Sequence, residues 1–287
     1  MNLGVTFPQL DFGADADGIR AYTQAAQDLG YSYLLAYDHV LGADVTNRPG
    51  WTGYTISDSF HEPFVLFGFM SAVAPSLELV TGVIILPQRQ TVLVAKQAAE
   101  VDILTGGKFR LGIGVGWNQV EYEGLNEEFS NRGKRVEEQI EVMRQLWTEP
   151  VITFQGRYHR VTEAGLNPLP LQRPIPIWIG GTADVALERT ARIADGWFPL
   201  GRCTPENLER IARLRDLTEA AGRERHAVGI DARIDMRTVP ETEWGEEIAR
   251  WRAAGATHLS INTMNQGFST QAHIAAIERF ERVASNA

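Results

Sequence analysis

The sequence has a single cysteine, three lysines and no long apolar run among its 287 residues. Because Cys203 has no second cysteine to pair with, an internal disulfide is excluded and a reducing cytoplasm is the expected location. No stretch approaches the ~18–20 apolar residues that span a bilayer, so we expect no membrane association. The opening MNLGVTFPQLDFG has neither the basic region nor the apolar core of a secretory signal.

Positive charge is also scarce. The formal net charge of -9 leaves no basic surplus to neutralise phosphates, so the composition argues against a nucleic-acid partner. A local basic pocket for one anionic ligand remains compatible with this charge. Hydrophobic content of 44% and charged content of 22% are ordinary for a globular enzyme that acts on a small molecule, which is the function class we expect.

Apolar runs alternate with helical patterns along the whole chain, which is typical of a parallel sheet with crossover helices. A helical pattern follows each run, and no linker-like segment divides the chain. Eight such units in this length predict an α/β protein made of one (β/α)8 TIM barrel over residues 1–287. The predicted strands are residues 3–7, 31–39, 77–87, 109–116, 175–181, 195–200, 227–235 and 257–263.

Two predicted connections are unusually long. One covers residues 40–60, after the second strand, and it contains Trp51, Tyr54 and Phe60. Since it leaves the carboxyl end of a strand, where barrel enzymes build their sites, we expect it to line an aromatic, largely apolar pocket. The other contains VITFQGRYHRV, which predicts a hairpin inserted before the fifth strand and turning at Gln155–Gly156.

Two barrel chemistries need side chains that this sequence does not place at strand ends. Imine formation needs a lysine there, but all three lysines lie in helical patterns or before a strand. Metal hydrolases need clustered histidines, and only His39 clearly follows a strand. We therefore expect neither a Schiff-base mechanism nor a metal site. The lysines are Lys96, Lys108 and Lys134.

Three glycines fall inside the fourth predicted strand. Gly112, Gly114 and Gly116 have the spacing G-x-G-x-G, whereas a Rossmann turn needs G-x-G-x-x-G between the first strand and its helix. The acidic residue expected about 20 positions later, on a second strand, is absent. Glycines within a strand indicate instead that another group approaches the backbone closely. The segment is therefore interpreted as a barrel strand that ends at the site.

Four segments together resemble the luciferase-like monooxygenase superfamily, especially its branch of coenzyme F420-dependent oxidoreductases. The resemblance extends through nearly the whole chain and implies the bacterial luciferase-like type of TIM barrel. It is less specific for the flavin-type cofactor and says almost nothing about the substrate. The segments are YDHV (37–40), TGVIILPQRQTVLVAKQAAEVD (81–102), DILTGGKFRLGIGVGWNQVEYEGLN (102–126) and PIPIWIGGTADVALERTARIADGWFP (174–199).

The resemblance implies catalytic roles for Asp38 and His39. In the F420 enzymes an aspartate at this point lies near the deazaflavin ring, and the adjacent histidine acts as acid or base. A histidine titrates near neutrality and can exchange a proton with a substrate that gives or receives hydride. The alternative reading is an aspartate that caps the next turn, with a merely packed histidine beside it.

The resemblance also implies a cofactor-binding wall and a phosphate site. A non-proline cis peptide would lie behind the central ring at Val83–Ile84, with Gly82–Val83 as the nearest alternative. The phosphate would bind at the glycine turn that begins a helix, where backbone N–H groups are free; a glycine turn required by geometry alone is the other reading. The expected cofactor-binding residues are Asp38, Val83, Ile84, Leu86, Val115, Gly116, Trp117, Gly180, Gly181, Thr182 and Arg202.

The exit of the fourth strand departs from one group of relatives. Some sugar-phosphate dehydrogenases of this branch have a glutamate where Trp117 stands, as a proposed catalytic acid. The departure argues against that substrate and leaves His39 as the better proton carrier. Trp117 and Asn118 are expected to shape the pocket. Glu121 and Glu123, at i and i+2, cannot straddle a substrate and are interpreted as turn or helix-start residues.

Two functions follow from the resemblance. The first is hydride transfer between F420 and a small organic substrate, with His39 as proton donor or acceptor. The alternative is an oxygen-using FMNH2-dependent monooxygenase, supplied by a separate reductase. The cofactors differ at the tail, where F420 has a lactyl-oligoglutamate chain, and the sequence leaves the two open. Family members are often dimers, so a homodimer is also expected.

Overall fold

Strands and helices alternate throughout the computed structural model, which describes residues 1–287. The strands are β1 (Asn2–Thr6), β2 (Tyr33–Ala36), β3 (Glu78–Thr81), β4 (Ile84–Ile85), β5 (Phe109–Gly114), β6 (Ile152–Gln155), β7 (Arg160–Ala164), β8 (Ile177–Gly180), β9 (Gly196–Phe198), β10 (Gly229–Asp235) and β11 (His258–Asn262). The helices are α1 (Gln9–Phe12), α2 (Ala16–Asp28), α3 (Pro63–Val73), α4 (Thr91–Leu104), α5 (Gln119–Gly124), α6 (Arg132–Thr148), α7 (Asp184–Ile193), α8 (Pro205–Ala220), α9 (Trp244–Ala253) and α10 (Thr270–Asn286). None of the helices combines the length and the apolar character needed to cross a membrane.

Eight parallel strands form a closed barrel. Their order is β3-β2-β1-β11-β10-β9-β8-β5, and pairing of β3 with β5 closes the ring. The two-residue β4 continues the path of β3 and pairs with the upper part of β5, at Ile113 and Gly114. The predicted TIM barrel is confirmed, because every predicted apolar run contains one of the parallel strands.

The two long connections are where the sequence predicted them. The connection after β2 reaches to α3 and is tied to itself by a bridge between Ala43 and Thr55. The predicted hairpin is formed by the antiparallel pair β6 and β7. Because the first connection leaves the carboxyl end of β2, it lies on the face of the barrel where ligands bind.

Large side chains fill the lower part of the barrel interior because neighbouring strands have glycine beside them. A Cβ at Gly4 would overlap the Tyr33 ring, and a Cβ at Gly196 or Gly229 would overlap the Trp178 ring. Tyr33 is fully buried and Trp178 is 5% exposed. The glycines in barrel strands therefore serve close approach, as inferred from the sequence, and the interior is packed rather than open.

A buried ion cluster completes this floor. The Arg110 guanidinium carbon lies 4.8 Å from the ring centroid of Tyr33 and 4.5 Å from that of Trp178. Arg110 Nε donates to Glu78 at 2.9 Å, and the Tyr33 hydroxyl donates to Asp231 at 2.6 Å. Because buried charges are costly unless paired, the cluster depends on all of its members being present.

The close packing of the Trp178 ring against Gly196 predicts that a side chain at position 196 destabilises the protein. We expect Gly196→Ala to lower the free energy of unfolding by about 1–3 kcal/mol, because the new methyl group overlaps an indole that cannot move aside. Gly68→Ala is the matched control, since Gly68 lies in α3 with no neighbour in the way and alanine favours helix. Urea unfolding measures both variants. Equal stability of Gly196→Ala and wild type would contradict this packing.

Candidate active site

A cavity of about 410 Å³ lies at the carboxyl ends of the barrel strands. Its wall is formed by residues at the ends of β2, β5, β8, β9 and β10, and by the segment between β3 and β4. Asp231, a member of the buried ion cluster, and Ser260 contribute to its floor. The volume lies in the range typical of small-molecule and cofactor sites, roughly 300–1,000 Å³.

The structure brings most of the predicted site residues together. Eight line the cavity: Asp38, His39, Val83, Val115, Gly116, Trp117, Gly180 and Gly181. Four do not: Ile84, Leu86, Thr182 and Arg202. Ile84 and Leu86 are fully buried in the core outside the barrel, because side chains alternate between the two faces of a strand.

Arg202 is directed elsewhere. Its guanidinium forms an ion pair with Glu243 and donates to the backbone oxygen of Thr238 at 3.3 Å. The prediction that this arginine faces a cofactor phosphate is therefore wrong for this conformation, because acidic residues before and within α9 already neutralise it. Thr182 lies just outside the lining, next to Gly181.

The non-proline cis peptide lies between Gly82 and Val83. The preferred placement at Val83–Ile84 is wrong by one residue, and the nearest alternative is confirmed. Placement from the proline at Pro87 overlooked that Ile84 already pairs with Ile113 of β5 as part of a regular strand. Val83 is thereby the residue whose side chain faces the cavity.

His39 is held by a carboxylate that the sequence reading did not assign to the site. Its Nδ1 lies 3.1 Å from Oε1 of Glu121. A carboxylate only accepts hydrogen bonds, so Nδ1 carries the hydrogen, and Nε2 bonds to no protein group. The imidazole is thus oriented with one nitrogen toward Glu121 and the other available to a ligand. Such a pair can hold and transfer a proton at Nε2.

Glu121 is fully buried in the first turn of α5, which confirms its interpretation as a helix-start residue, but its contact with His39 was not predicted. Burial raises its pKa, but hydrogen bonds from His39, the Val40 N–H and Gln88 outweigh this, so its pKa lies below the ordinary value. The Asn118 side chain caps α5 by accepting from the Val120 N–H and so places Glu121 on the first helical turn. No spacing in the sequence indicates this role, since 82 positions separate Glu121 from His39.

Asp38 has a different environment from its neighbour His39. Arg89 donates to its two oxygens at 2.8 and 3.3 Å, and the Ile85 N–H donates at 3.1 Å. Burial lowers the pKa of Arg89, but the charges of Asp38 and Glu62 outweigh this and the pKa lies above its ordinary value. With both oxygens engaged, Asp38 is suited to fixing the end of β2 against β4.

The turn between β8 and α7 offers free backbone donors. Gly181 has φ of 131°, a conformation that side chains rarely allow. The N–H groups of Thr182 and Ala183, just before the first residue of α7, donate to no protein acceptor. Free N–H groups at a helix start bind phosphate well, so this turn fits the phosphate of a flavin-type cofactor.

Aromatic side chains from the long connection pack around His39. The ring centroids of Tyr54 and Phe60 each lie 4.7 Å from that of His39. Trp51 packs against Trp117 at 5.7 Å, and Trp117 is 49% exposed at the cavity. Tyr54 and Trp117 line the cavity, while Trp51 and Phe60 support them from behind. No cluster of three or more His, Cys, Asp or Glu side chains suited to a metal ion occurs in the chain.

The model of the family described as luciferase-like monooxygenase matches residues 3–273. The chain belongs to this family. An uncharacterized protein of Mycobacterium tuberculosis is 37% identical over 219 residues, which cover 72% of this chain and 75% of that protein. The FMNH2-dependent dimethylsulfone monooxygenase of Pseudomonas putida is 29% identical over 234 residues, which cover 79% of this chain and 60% of that enzyme.

Solved structures of the same fold include an F420-dependent secondary alcohol dehydrogenase in complex with an F420-acetone adduct. It superposes with a TM-score of 0.79 at 15% identity, covering 99% of this chain and 98% of that one. At this identity the likeness shows the fold alone. The resemblance noted from the sequence is confirmed, and the similar proteins use either F420 or FMN.

The buried carboxylate at position 121 predicts a pH-dependent effect on stability. We expect Glu121→Gln to lower the free energy of unfolding at pH 7 by about 1.5–3 kcal/mol, since hydrogen bonds to a charged group are lost. Because the folded-state pKa of Glu121 is lowered, its stabilising effect is present above the ordinary glutamate range and is lost as pH falls through that lowered pKa. The difference from wild type should therefore shrink below about pH 4.3.

Glu123→Gln is the matched control, because Glu123 is exposed and forms no ion pair. Urea unfolding of the three proteins at several pH values makes the comparison. A constant difference between wild type and Glu121→Gln at all pH values would show that the carboxylate charge is not what stabilises the site.

Proposed function

We propose that the protein is an oxidoreductase that transfers a hydride between coenzyme F420 and a small organic substrate, with His39 as proton donor or acceptor. The observation that carries this proposal is the imidazole at the cavity wall, with Nδ1 held by Glu121 and Nε2 free. Family membership supports the redox chemistry. Cavity shape and free backbone donors support a flat cofactor that ends in a phosphate.

The wall between β4 and β8 suits a planar ring. Val83, Gly114 and Val115 present aliphatic groups and bare backbone to the cavity, and Gly180 and Gly181 extend this surface toward the free N–H groups of Thr182 and Ala183. These residues would hold the ring and the phosphate. When bound, the cofactor supplies or accepts two electrons as a hydride.

The protein's own groups have separable tasks in this reaction. Reduction of a carbonyl or an activated alkene by hydride also needs one proton, which His39 Nε2 would donate; in the oxidative direction the same atom would accept it. Glu121 orients the imidazole, since its carboxylate faces Nδ1. Tyr54 and Phe60 cover the imidazole and exclude water from it. Asp38 positions the strand end rather than exchanging protons.

A second candidate is an FMNH2-dependent monooxygenase supplied by a separate reductase. The similarity to the Pseudomonas putida enzyme favours it. The engagement of Arg202 by Glu243 also favours it, because this arginine is then not free for an oligoglutamate tail. Both candidates use the same wall and phosphate turn, so cofactor preference distinguishes them. We propose a homodimer in either case, by analogy with the family.

Direct titration decides between the two cofactors. We expect oxidised F420 to quench protein fluorescence with micromolar affinity and FMN to bind at least about tenfold more weakly, a difference of 1.4 kcal/mol. Trp117 is the reporter, since it is half-exposed at the cavity. Trp117→Phe serves as the control that assigns the signal. Micromolar binding of FMN with none of F420 would favour the monooxygenase and reject the F420 proposal.

The role of His39 predicts that its removal affects turnover much more than cofactor affinity. We expect His39→Ala to keep cofactor affinity within several-fold, while turnover falls by about 10²-fold or more because general acid–base catalysis is lost. His226→Ala is the matched control, since His226 is exposed in the turn before β10. Stopped-flow measurement of cofactor reduction or oxidation gives the rate of the hydride-transfer step in each variant. Unchanged turnover in His39→Ala would remove the histidine from the mechanism.

A further inference from the structure

Among the charged side chains that line the cavity, Arg233 alone forms no ion pair within 4 Å, although its charge acts at longer range on Asp231 and Asp235. It lies on β10, and its guanidinium forms no ion pair with any carboxylate of the chain. The other cavity charges are neutralised in pairs: Asp38 with Arg89 at 2.8 Å, His39 with Glu121 at 3.1 Å, Asp231 with Arg110 at 3.2 Å, and Arg237 with Asp235 at 2.6 Å.

Arg233 and Tyr37 together offer free donors to the cavity. Arg233 Nη1 donates to the Tyr37 hydroxyl oxygen at 2.6 Å, and the rest of the guanidinium donates to no protein atom. The Tyr37 hydroxyl in turn donates to no protein acceptor. Burial raises the pKa of Tyr37, so the hydroxyl keeps its hydrogen at neutral pH. The pair therefore presents free N–H and O–H donors to the cavity, and it contains no negatively charged group.

A half-buried guanidinium without a counter-ion is costly unless a ligand provides the charge. The planar fork of arginine matches a carboxylate, sulfonate or phosphate, and such contacts are short and strong. We propose that Arg233 and Tyr37 form a substrate subsite, and that the substrate carries one carboxylate or sulfonate on an apolar or aromatic body. The identification of this anion as the substrate's rests on the proposed function.

The position of the pair separates it from the phosphate turn. Tyr37 and His39 follow β2, are two residues apart and both line the cavity, so their Cα atoms lie at most about 7 Å apart. Gly180 pairs with Phe198 of β9, and β9 in turn pairs with β10. Arg233 is therefore two strands, roughly 9–10 Å, from the β8 end. An anion held by Arg233 and Tyr37 lies beside the proton-transfer group.

The remaining wall describes the other part of the substrate. Leu35, Tyr54 and Phe198 also line the cavity, and none of them carries a charge. These uncharged surroundings favour a substrate with an aliphatic or aromatic body. A compound of this class would have its anion fixed at β10 and its reactive carbon brought near His39 Nε2.

Paired probes test the subsite without knowledge of the natural substrate. Calorimetric titrations compare benzoate with benzamide, benzenesulfonate with benzenesulfonamide, and hexanoate with hexanamide, on the protein alone and on the cofactor-saturated protein. We expect at least one anion to bind about tenfold or more tightly than its neutral counterpart, since hydrogen bonds to a charged group are stronger than those to a neutral one. Arg233→Met should lose this preference, and Tyr37→Phe should lose part of it.

Arg202→Met is the matched control, because Arg202 lies outside the cavity lining and is already paired with Glu243. It should keep the preference for anions. Circular dichroism confirms that each variant is folded. An anion preference that survives in Arg233→Met, or the absence of any preference in wild type, would overturn the proposal. Because the titrations also use the protein alone, they give a result even where neither F420 nor FMN binds.

The cofactor phosphate is the competing source of the anion. FMN and riboflavin differ by this phosphate, and F420 and its phosphate-free deazaflavin differ by phosphate and tail, so each pair measures what the anionic part contributes to binding. We expect Arg233→Met to keep the wild-type ratio of affinities within each pair. A selective loss of FMN or F420 affinity in Arg233→Met would assign the arginine to the cofactor and reject the substrate subsite.

Discussion

The Glu121 carboxylate is the interaction on which the mouth of the barrel depends. It accepts hydrogen bonds from His39 and from the Val40 N–H, both after β2, and from Gln88, after β4. Since Glu121 itself belongs to α5, after β5, one buried carboxylate joins three successive connections. These hydrogen bonds lower its pKa and keep it ionised, so it orients His39 and fixes the start of the aromatic connection that covers His39.

The distribution of charge separates the stabilising part of the barrel from the ligand-binding part. In the floor, Arg110 is enclosed by two aromatic rings and by Glu78 and Asp231, so its charge is satisfied within the protein. At the mouth, Arg233 and the N–H groups after Gly181 are left with free donors. The donors at the mouth lie at or beside the cavity, which makes this end of the barrel the one suited to anionic ligands.

The sequence predicted whatever depends on local pattern. Apolar runs bounded by helical segments located the eight barrel strands, the hairpin and the long connection, and strand ends indicated Asp38 and His39. Tertiary partners were not predictable in this way. Glu121 was correctly assigned to a helix start, but its contact with His39 was not predicted because 82 positions separate the two, and Arg202 was assigned to a phosphate although Glu243 neutralises it. Placement of the cis peptide was wrong by one residue, because the pairing of Ile84 with β5 was not visible in the sequence.

The spacing of the residues that follow β2 limits the length of the substrate. Tyr37 and His39 follow β2 and both line the cavity, while Asp38 between them is bound by Arg89 and the Ile85 N–H. Because Asp38 fixes the backbone at this point, the separation of Tyr37 from His39 is held constant, with their Cα atoms at most about 7 Å apart. A substrate must reach from the anion-binding pair to the imidazole, so selectivity would depend on length as well as on charge.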